Sequence, residues 1–353
     1  METFSISTAT SWVTVRLLRR YMREARVVDR PIVTEHSHKA GTPIMGGFGI
    51  LLGTVAGPLL VSIQALPPAV SALPMLVLGV VDDLLGLQVE EFQKVVKNVS
   101  NEPIRIGRLV LRPGEEARVA TERAKRDLKR LLREAPDKIE IVGEVPVKKE
   151  LSEREKLALQ AGASLFVLPI VPATWLWFPH LGAIDLSWLF YPLAVFGVVG
   201  ATNAVNLIDG MDGLAAGLLF LASLACSGVC LTHNQLPGAA FFAALAGASL
   251  GFLFHNRYPA KIFMGDTGSC FLGAAYAAGA VYYKIEVPAI VALGVPVGST
   301  IISLLHRAGV IKLAVEPLHH HLQYKYDLPE PVVVALHWMA GAVCAGIALW
   351  LAG

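Results

Sequence analysis

The sequence predicts an all-α polytopic membrane protein with nine to ten transmembrane helices and a small α/β cytoplasmic insertion. Of its 353 residues, 54% are hydrophobic and only 16% charged, too apolar for a soluble chain of that length. Apolar windows long enough to cross a bilayer recur from end to end. Lys and Arg gather in alternate connections between those windows, as the positive-inside rule expects of a multi-pass protein.

The first segment, Phe4 to Leu18, is diluted by Ser, Thr and Arg16 and reads equally well as a tenth span or as a helix lying in the membrane surface. Its basic residues follow the apolar stretch instead of preceding it, so no cleavable signal peptide is expected. Two spans then follow, Ile44 to Gln64 and Ala69 to Leu87, closing an N-terminal part over residues 1–87. Residues 88–152 form a charged insertion. Ile104 to Leu111 and Lys138 to Val147 alternate as strands do, and a charged run after Pro113-Gly114, opening on Glu115 and Glu116 and ending at Ala135, reads as a helix. Acidic residues nearly cancel the basic ones there, which points to a solvated surface and not to nucleic acid.

Residues 153–353 carry the remaining spans: Leu157 to Phe178, Leu186 to Val205, Leu214 to Leu231, Gly238 to Phe254, Ser269 to Tyr283, Val287 to Leu305 and Pro331 to Leu351. With residues 1–87 they make one membrane domain. The four cysteines, Cys226, Cys230, Cys270 and Cys344, fall inside spans without zinc-site partners and read as packing residues.

The basic segments Arg16 to Lys39, Gln88 to Lys156, Arg257 to Lys261 and Arg307 to Lys325 belong on the cytoplasmic side of a cell membrane. Every polar cluster falls on that same side. Asp82 and Asp83 end the second span, where hard carboxylate oxygens suit magnesium and phosphate. Asn203, Asn206, Asp209 and Asp212 recur every three residues between two spans, so neighbours share a helix face, and Gly210 and Gly213 interrupt the helix beside them. Phe263-Met-Gly-Asp266-Thr-Gly-Ser269 offers a carboxylate with hydroxyls and backbone N–H groups, near Asn256. His36-Ser-His38-Lys39 leads into Gly41-Thr-Pro-Ile-Met-Gly46-Gly47, a cationic turn fit for a diphosphate. His319, His320 and His321 follow Pro317, so the run need not be helical and its rings can diverge; phosphate contact or proton transfer suits them better than zinc. Together these clusters predict one cytoplasm-facing site at the membrane boundary.

Taken together, His36-x-x-Lys39-x-Gly-Thr-Pro-x-Met-Gly-Gly, Asp82-Asp83, Leu151 to Gln160, Asn203 to Ala215, Phe263 to Ser269 and Pro317-Leu-His-His-His321 resemble the polyprenyl-phosphate N-acetylhexosamine-1-phosphate transferase superfamily, glycosyltransferase family 4. Within it, the triple His and the Gly-Thr-Pro-x-Met-Gly-Gly piece resemble the phospho-N-acetylmuramoyl-pentapeptide transferase branch. The chain departs from that pattern at Gly86, where a basic residue is usual, at Ile44, where a second Thr is usual, and in the insertion.

The resemblance implies transfer of a phospho-aminosugar from a UDP-aminosugar, possibly peptide-linked in the muramoyl-pentapeptide form, to polyprenyl phosphate with release of UMP and with Mg2+ as cofactor. It implies Asn206 and Asp266 as metal ligands, Asp82 or Asp83 to orient or deprotonate the lipid phosphate, and Asp209 in the catalytic centre. Asp212, Asn256 and Phe263 would hold the uridine, and Lys39, Lys156, His319, His320 and His321 would contact phosphates or sugar. A membrane-embedded homodimer is the family expectation. Direct attack and a covalent Asp intermediate both stay open, as does UDP-N-acetylglucosamine or another UDP-N-acetylhexosamine as donor. The competing class, an ion-coupled transporter, would place its acids near the bilayer midplane, whereas these sit at one rim.

Overall fold

The structure is a computed structural model describing residues 1–28, 41–106, 109–119, 122–148, 151–178 and 181–353. It divides into two compact units, one of residues 1–29, 41–83 and 151–353, the other centred on residues 84–150.

The larger unit opens with α1 (Glu2–Glu24), α2 (Gly47–Val61), α3 (Pro67–Ser71) and α4 (Leu73–Gly86). The segment that reads from sequence as a weak span is a full 23-residue helix, with Thr3, Ser7, Ser11 and Val15 buried along one face. Small residues make that packing possible. A Cβ added at Gly53 of α2 would lie 2.8 Å from Ser11, and one at Gly57 would lie 2.3 Å from Ser7 Oγ. Ser11 Oγ also donates to the Ala248 carbonyl of a later helix at 2.8 Å. Polar residues that dilute the hydropathy of this segment are thus its packing surface.

The smaller unit holds β1 (Val89–Asn98), β2 (Ile104–Ile106), β3 (Leu109–Leu111), β4 (Glu116–Arg118), α5 (Glu122–Glu134) and β5 (Ile139–Lys148). Its three-stranded antiparallel sheet runs β4-β1-β5, with β2 and β3 as a separate hairpin. Val96, Ile106, Leu111, Val119, Leu128 and Ile139 form its core. The expected strand over residues 104–111 is this hairpin, and Glu116 lies in β4 instead of opening the helix.

The larger unit resumes with α6 (Glu153–Ser164), β6 (Trp175–Phe178), β7 (Gly182–Asp185), α7 (Phe190–Ile208), α8 (Leu214–Thr232), α9 (Leu236–Asn256) and α10 (Gly265–Tyr282). It closes with α11 (Glu286–Ala292), α12 (Gly294–Arg307), α13 (Leu318–Tyr326) and α14 (Glu330–Ala352). The expected span Leu157 to Phe178 is built differently, from α6, a 3-10 turn over Leu165–Ile170 and strand β6, which pairs with β7. Pro169 in that turn cannot donate to a continuing helix.

Among the described residues, four helices are long and apolar enough to cross a membrane, or up to six if α3–α4 and α11–α12, bent by 44° and 75°, each count as one span. The sequence reading expects nine to ten. The difference lies in helices such as α2, which has only 15 residues, and α10, whose first turn is given to Asp266, Thr267 and Ser269. A mostly helical protein with several apolar spans and a small sheet insertion is a membrane protein.

Candidate active site

The first turn of a helix leaves backbone N–H groups without intrahelical partners. At α10 the preceding Met264 supplies no side-chain cap. Asp83 of α4 supplies it from across the bundle: its Oδ1 accepts from the Asp266 N–H at 2.9 Å, and its Oδ2 accepts from the Thr267 N–H at 2.9 Å and the Thr267 hydroxyl at 2.6 Å. A carboxylate there is also favoured by the helix dipole. The reach demands close backbones, and a Cβ at Gly79 would lie 2.1 Å from the Asp266 carbonyl oxygen.

The glycine motif before α2 forms the other side of this bed. Gly46 and Gly47 donate to the carbonyls of Phe263 and Met264 at 2.9 and 3.2 Å, and the Phe263 N–H donates to Pro43 at 2.8 Å. A Cβ on Gly47 would lie 2.3 Å from Gly268 Cα. The turn read as a diphosphate loop therefore also fixes the loop that carries Asp266. His36 and Lys39 lie outside the described residues.

Beside this bed lies a connected polar network. A capping box between Ser152 and Glu155 starts α6, which places Lys156 in its first turns. Lys156 Nζ donates to Asp82 Oδ2 at 2.7 Å and to Asp266 Oδ2. Asp266 Oδ1 accepts from Asn206 Nδ2 at 2.7 Å, and the same amide donates to Ser269 Oγ at 2.9 Å. One helical turn along α6 and α7, Asn203 Nδ2 donates to Gln160 Oε1 at 2.7 Å. Burial alone would lower the Lys156 ammonium, but the Asp266 and Asp82 carboxylates override it and raise it, so the amine stays charged. The side chains of Lys156, Asp82 and Asp266 remain 21%, 10% and 24% exposed, open enough for a ligand to reach them.

A second network pins the turns around this centre. The Asp212 N–H donates to Glu330 Oε1 at 2.6 Å, and Asp212 Oδ2 accepts from the Ala260 N–H at 2.8 Å. Asn256 Oδ1 accepts from the Gly213 N–H at 3.0 Å while its Nδ2 donates to the Ile262 carbonyl at 3.0 Å. Asp209 ends α7 beside Gly210, where an added Cβ would lie 2.4 Å from His319 Nε2 and 3.2 Å from His320 Nε2. The histidines follow Leu318 in the first turn of α13, so the run is helical; the His319 and His320 rings stay together, their centroids 4.5 Å apart, while His321 Nδ1 accepts from the Ala314 N–H at 2.8 Å.

Asp82, Asp83, Lys156, Asn206 and Asp266 thus come together, with Ser269 and Thr267 as partners the sequence motifs contained without roles. Asp212 and Asn256 join the flanking network, Phe263 is held through its backbone, and Asp209 precedes Gly210, against which His319 and His320 lie. Glu330 lies outside the sequence motifs and Gln160 only ends one; a lone acid opening the last apolar helix is the signal for the first.

Among the described residues no group of three or more His, Cys, Asp or Glu is arranged to hold a metal ion. Instead, two carboxylates converge on the Lys156 ammonium. Hard oxygens meeting at a cation fit the chemistry of magnesium, which takes one or two carboxylates and completes its shell with substrate phosphate.

The family model described as glycosyl transferase family 4 matches residues 139–284, which include Lys156, the Asn203 to Asp212 series and Asp266. A protein of Methanothermobacter thermautotrophicus with the provisional name phospho-N-acetylmuramoyl-pentapeptide-transferase is 46% identical over 99% of this chain and 97% of its own length. Phospho-N-acetylmuramoyl-pentapeptide-transferases of Halalkalibacterium halodurans and Heliobacterium modesticaldum are 33% and 34% identical over 99% and 90% of this chain, and over 94% and 85% of their own lengths. The chain belongs to glycosyl transferase family 4, the family of these phospho-N-acetylmuramoyl-pentapeptide-transferases.

Proposed function

We propose that this membrane transferase moves phospho-N-acetylmuramoyl-pentapeptide, or a related UDP-linked peptide precursor, from UDP to polyprenyl phosphate at the cytoplasmic face of the membrane. One observation carries the reading: Lys156 joins Asp82 of α4 to Asp266 of α10, and Asn206 of α7 completes the network. The names of the relatives favour the muramoyl-pentapeptide donor. Nine or ten helical segments crossing the bilayer would bring the lipid phosphate to this rim from the inner leaflet and the nucleotide from the cytosol.

An oxygen of the polyprenyl phosphate attacks the β-phosphorus of the UDP-sugar. The bond from that phosphorus to the bridging oxygen breaks, and the electron pair leaves with UMP. Such a reaction needs alignment and charge neutralisation more than covalent chemistry. Lys156 supplies a fixed positive charge, and Asp82 at its side orients the lipid phosphate. Direct attack fits better than a covalent intermediate on Asp83, whose oxygens accept three hydrogen bonds from α10 and are poor nucleophiles for that reason. Asp266 and Asn206 would hold magnesium, which would offset phosphate charge when bound. Asp209, His319 and His320 stand where sugar or diphosphate would pass, and Asp212, Asn256 and Phe263 border the nucleotide.

Purified protein with magnesium, polyprenyl phosphate and a panel of UDP-aminosugars, the muramoyl-pentapeptide form included, tests this. Metal-dependent UMP release with a lipid-linked product, both lost in Asp266→Ala, is the expected result. Turnover of UDP-N-acetylglucosamine alone would overturn the donor, and no turnover of any donor would overturn the reaction.

A further inference from the structure

Where α1 meets the end of α9, Phe4, Ser5, Thr8, Ala9, Trp12 and Phe254 line a mainly apolar groove of about 450 Å3. The eight-residue step from Phe4 to Trp12 covers about 12 Å of helix, close to one leaflet of a hydrocarbon core of about 30 Å. Its upper end is cationic. The Arg16 guanidinium lies 5.5 Å from the centroid of the Trp12 ring, and the His255 ring lies 5.7 Å from that same ring. Arg19 follows Arg16 by about one turn of α1, and the Lys261 N–H, from the α9–α10 loop, donates to the His255 carbonyl at 2.8 Å. Among the described residues none of the three has a carboxylate partner, whereas the next arginine, Arg20, is paired with Glu24 at 3.0 Å.

A chain of basic residues at a helix end anchors a span to an interface without selecting a lipid. Here cations from two separate elements converge at the head of a groove of leaflet depth, a complement to one molecule with a negative head and an apolar tail. We infer that this groove binds one anionic phospholipid, its phosphate on Arg16, Arg19 and Lys261 and an acyl chain along Phe4, Thr8, Trp12 and Phe254. Lipid binding there does not depend on the reaction proposed above.

Native mass spectrometry of the full chain in detergent, offered an equimolar mixture of phosphatidylglycerol and phosphatidylcholine with matched chains, tests it. One phosphatidylglycerol should be retained in preference, by about fivefold for each cation engaged. R16Q/R19Q/K261Q should abolish the preference, while R20Q, which removes a charge already paired with Glu24, should keep it. Ala9→Trp fills the groove with every charge in place and should release the lipid, so it decides the matter even if the triple variant fails to fold. Equal retention of both lipids by the unaltered protein, equal loss in R20Q, or unchanged retention in Ala9→Trp would overturn the site. One-for-one displacement of phosphatidylglycerol by polyprenyl phosphate would overturn the assignment of occupant.

Discussion

Asp83 caps a helix to which it does not belong: its Oδ2 accepts from both the N–H and the hydroxyl of Thr267, 184 positions away. The adjacent acids Asp82 and Asp83 therefore have separate tasks, one beside Lys156 and one holding the start of α10. Asp83→Ala should cost about 1–3 kcal/mol, the scale of charged caps and hydrogen bonds. Asp83→Asn should recover little, since whichever way the amide turns its NH2 faces a backbone N–H donor of α10. Thr267→Val should cost less than either, and thermal unfolding in detergent ranks the three.

Gly79 and Gly86 lie on the same helix but meet different surroundings. An alanine at Gly79 would press on the Asp266 carbonyl at 2.1 Å, while one at Gly86 would meet nothing within 4 Å. Gly79→Ala should lower the melting temperature and abolish transfer together, because backbone cannot give way as a side-chain end can. Gly86→Ala should leave activity intact and be neutral or stabilising by up to about 1 kcal/mol from helix propensity.

Lys156→Met leaves the Asp82 and Asp266 carboxylates facing each other without their shared cation. Transfer should fall by about 100-fold or more, as when a positioned electrostatic group is removed. The pH dependence has a definite sign. The folded pKa of Lys156 is raised, so on the alkaline side its contribution to stability is intact up to the unfolded lysine value of about 10.4 and is lost as pH rises through the folded value. The melting-temperature gap between the parent and Lys156→Met should accordingly close in strong alkali, and it should also narrow as pH falls, because burial pushes the Asp266 carboxyl up to about 7 and a protonated partner no longer attracts the ammonium.

The three histidines should separate by assay. His321 holds the Ala314 N–H, so His321→Ala should lower stability by about 1 kcal/mol. His320 lies against the Gly210 turn, and His320→Ala should reduce kcat with a smaller change in melting temperature. Steady-state kinetics beside thermal unfolding reads both effects.

The sequence by itself determined the membrane class, the charged insertion and the set of acidic, amide and histidine motifs, because composition, hydropathy and spacing are local properties. It underrated α1, since Ser7 and Ser11 lower hydropathy yet meet glycines of α2 closely enough to pack. It overran the third span, because a hydropathy window does not register the 3-10 turn and hairpin that end it. Only the tertiary structure decided which motif residue meets which. Lys156 reaches Asp266 across 110 positions, and Gln160 and Glu330 gain roles through Asn203 and Asp212, 43 and 118 positions away. Such pairings depend on how helices cross, and a glycine such as Gly79 shows its purpose only when the backbone it admits is in place, for contact at that range leaves no periodic trace in the chain.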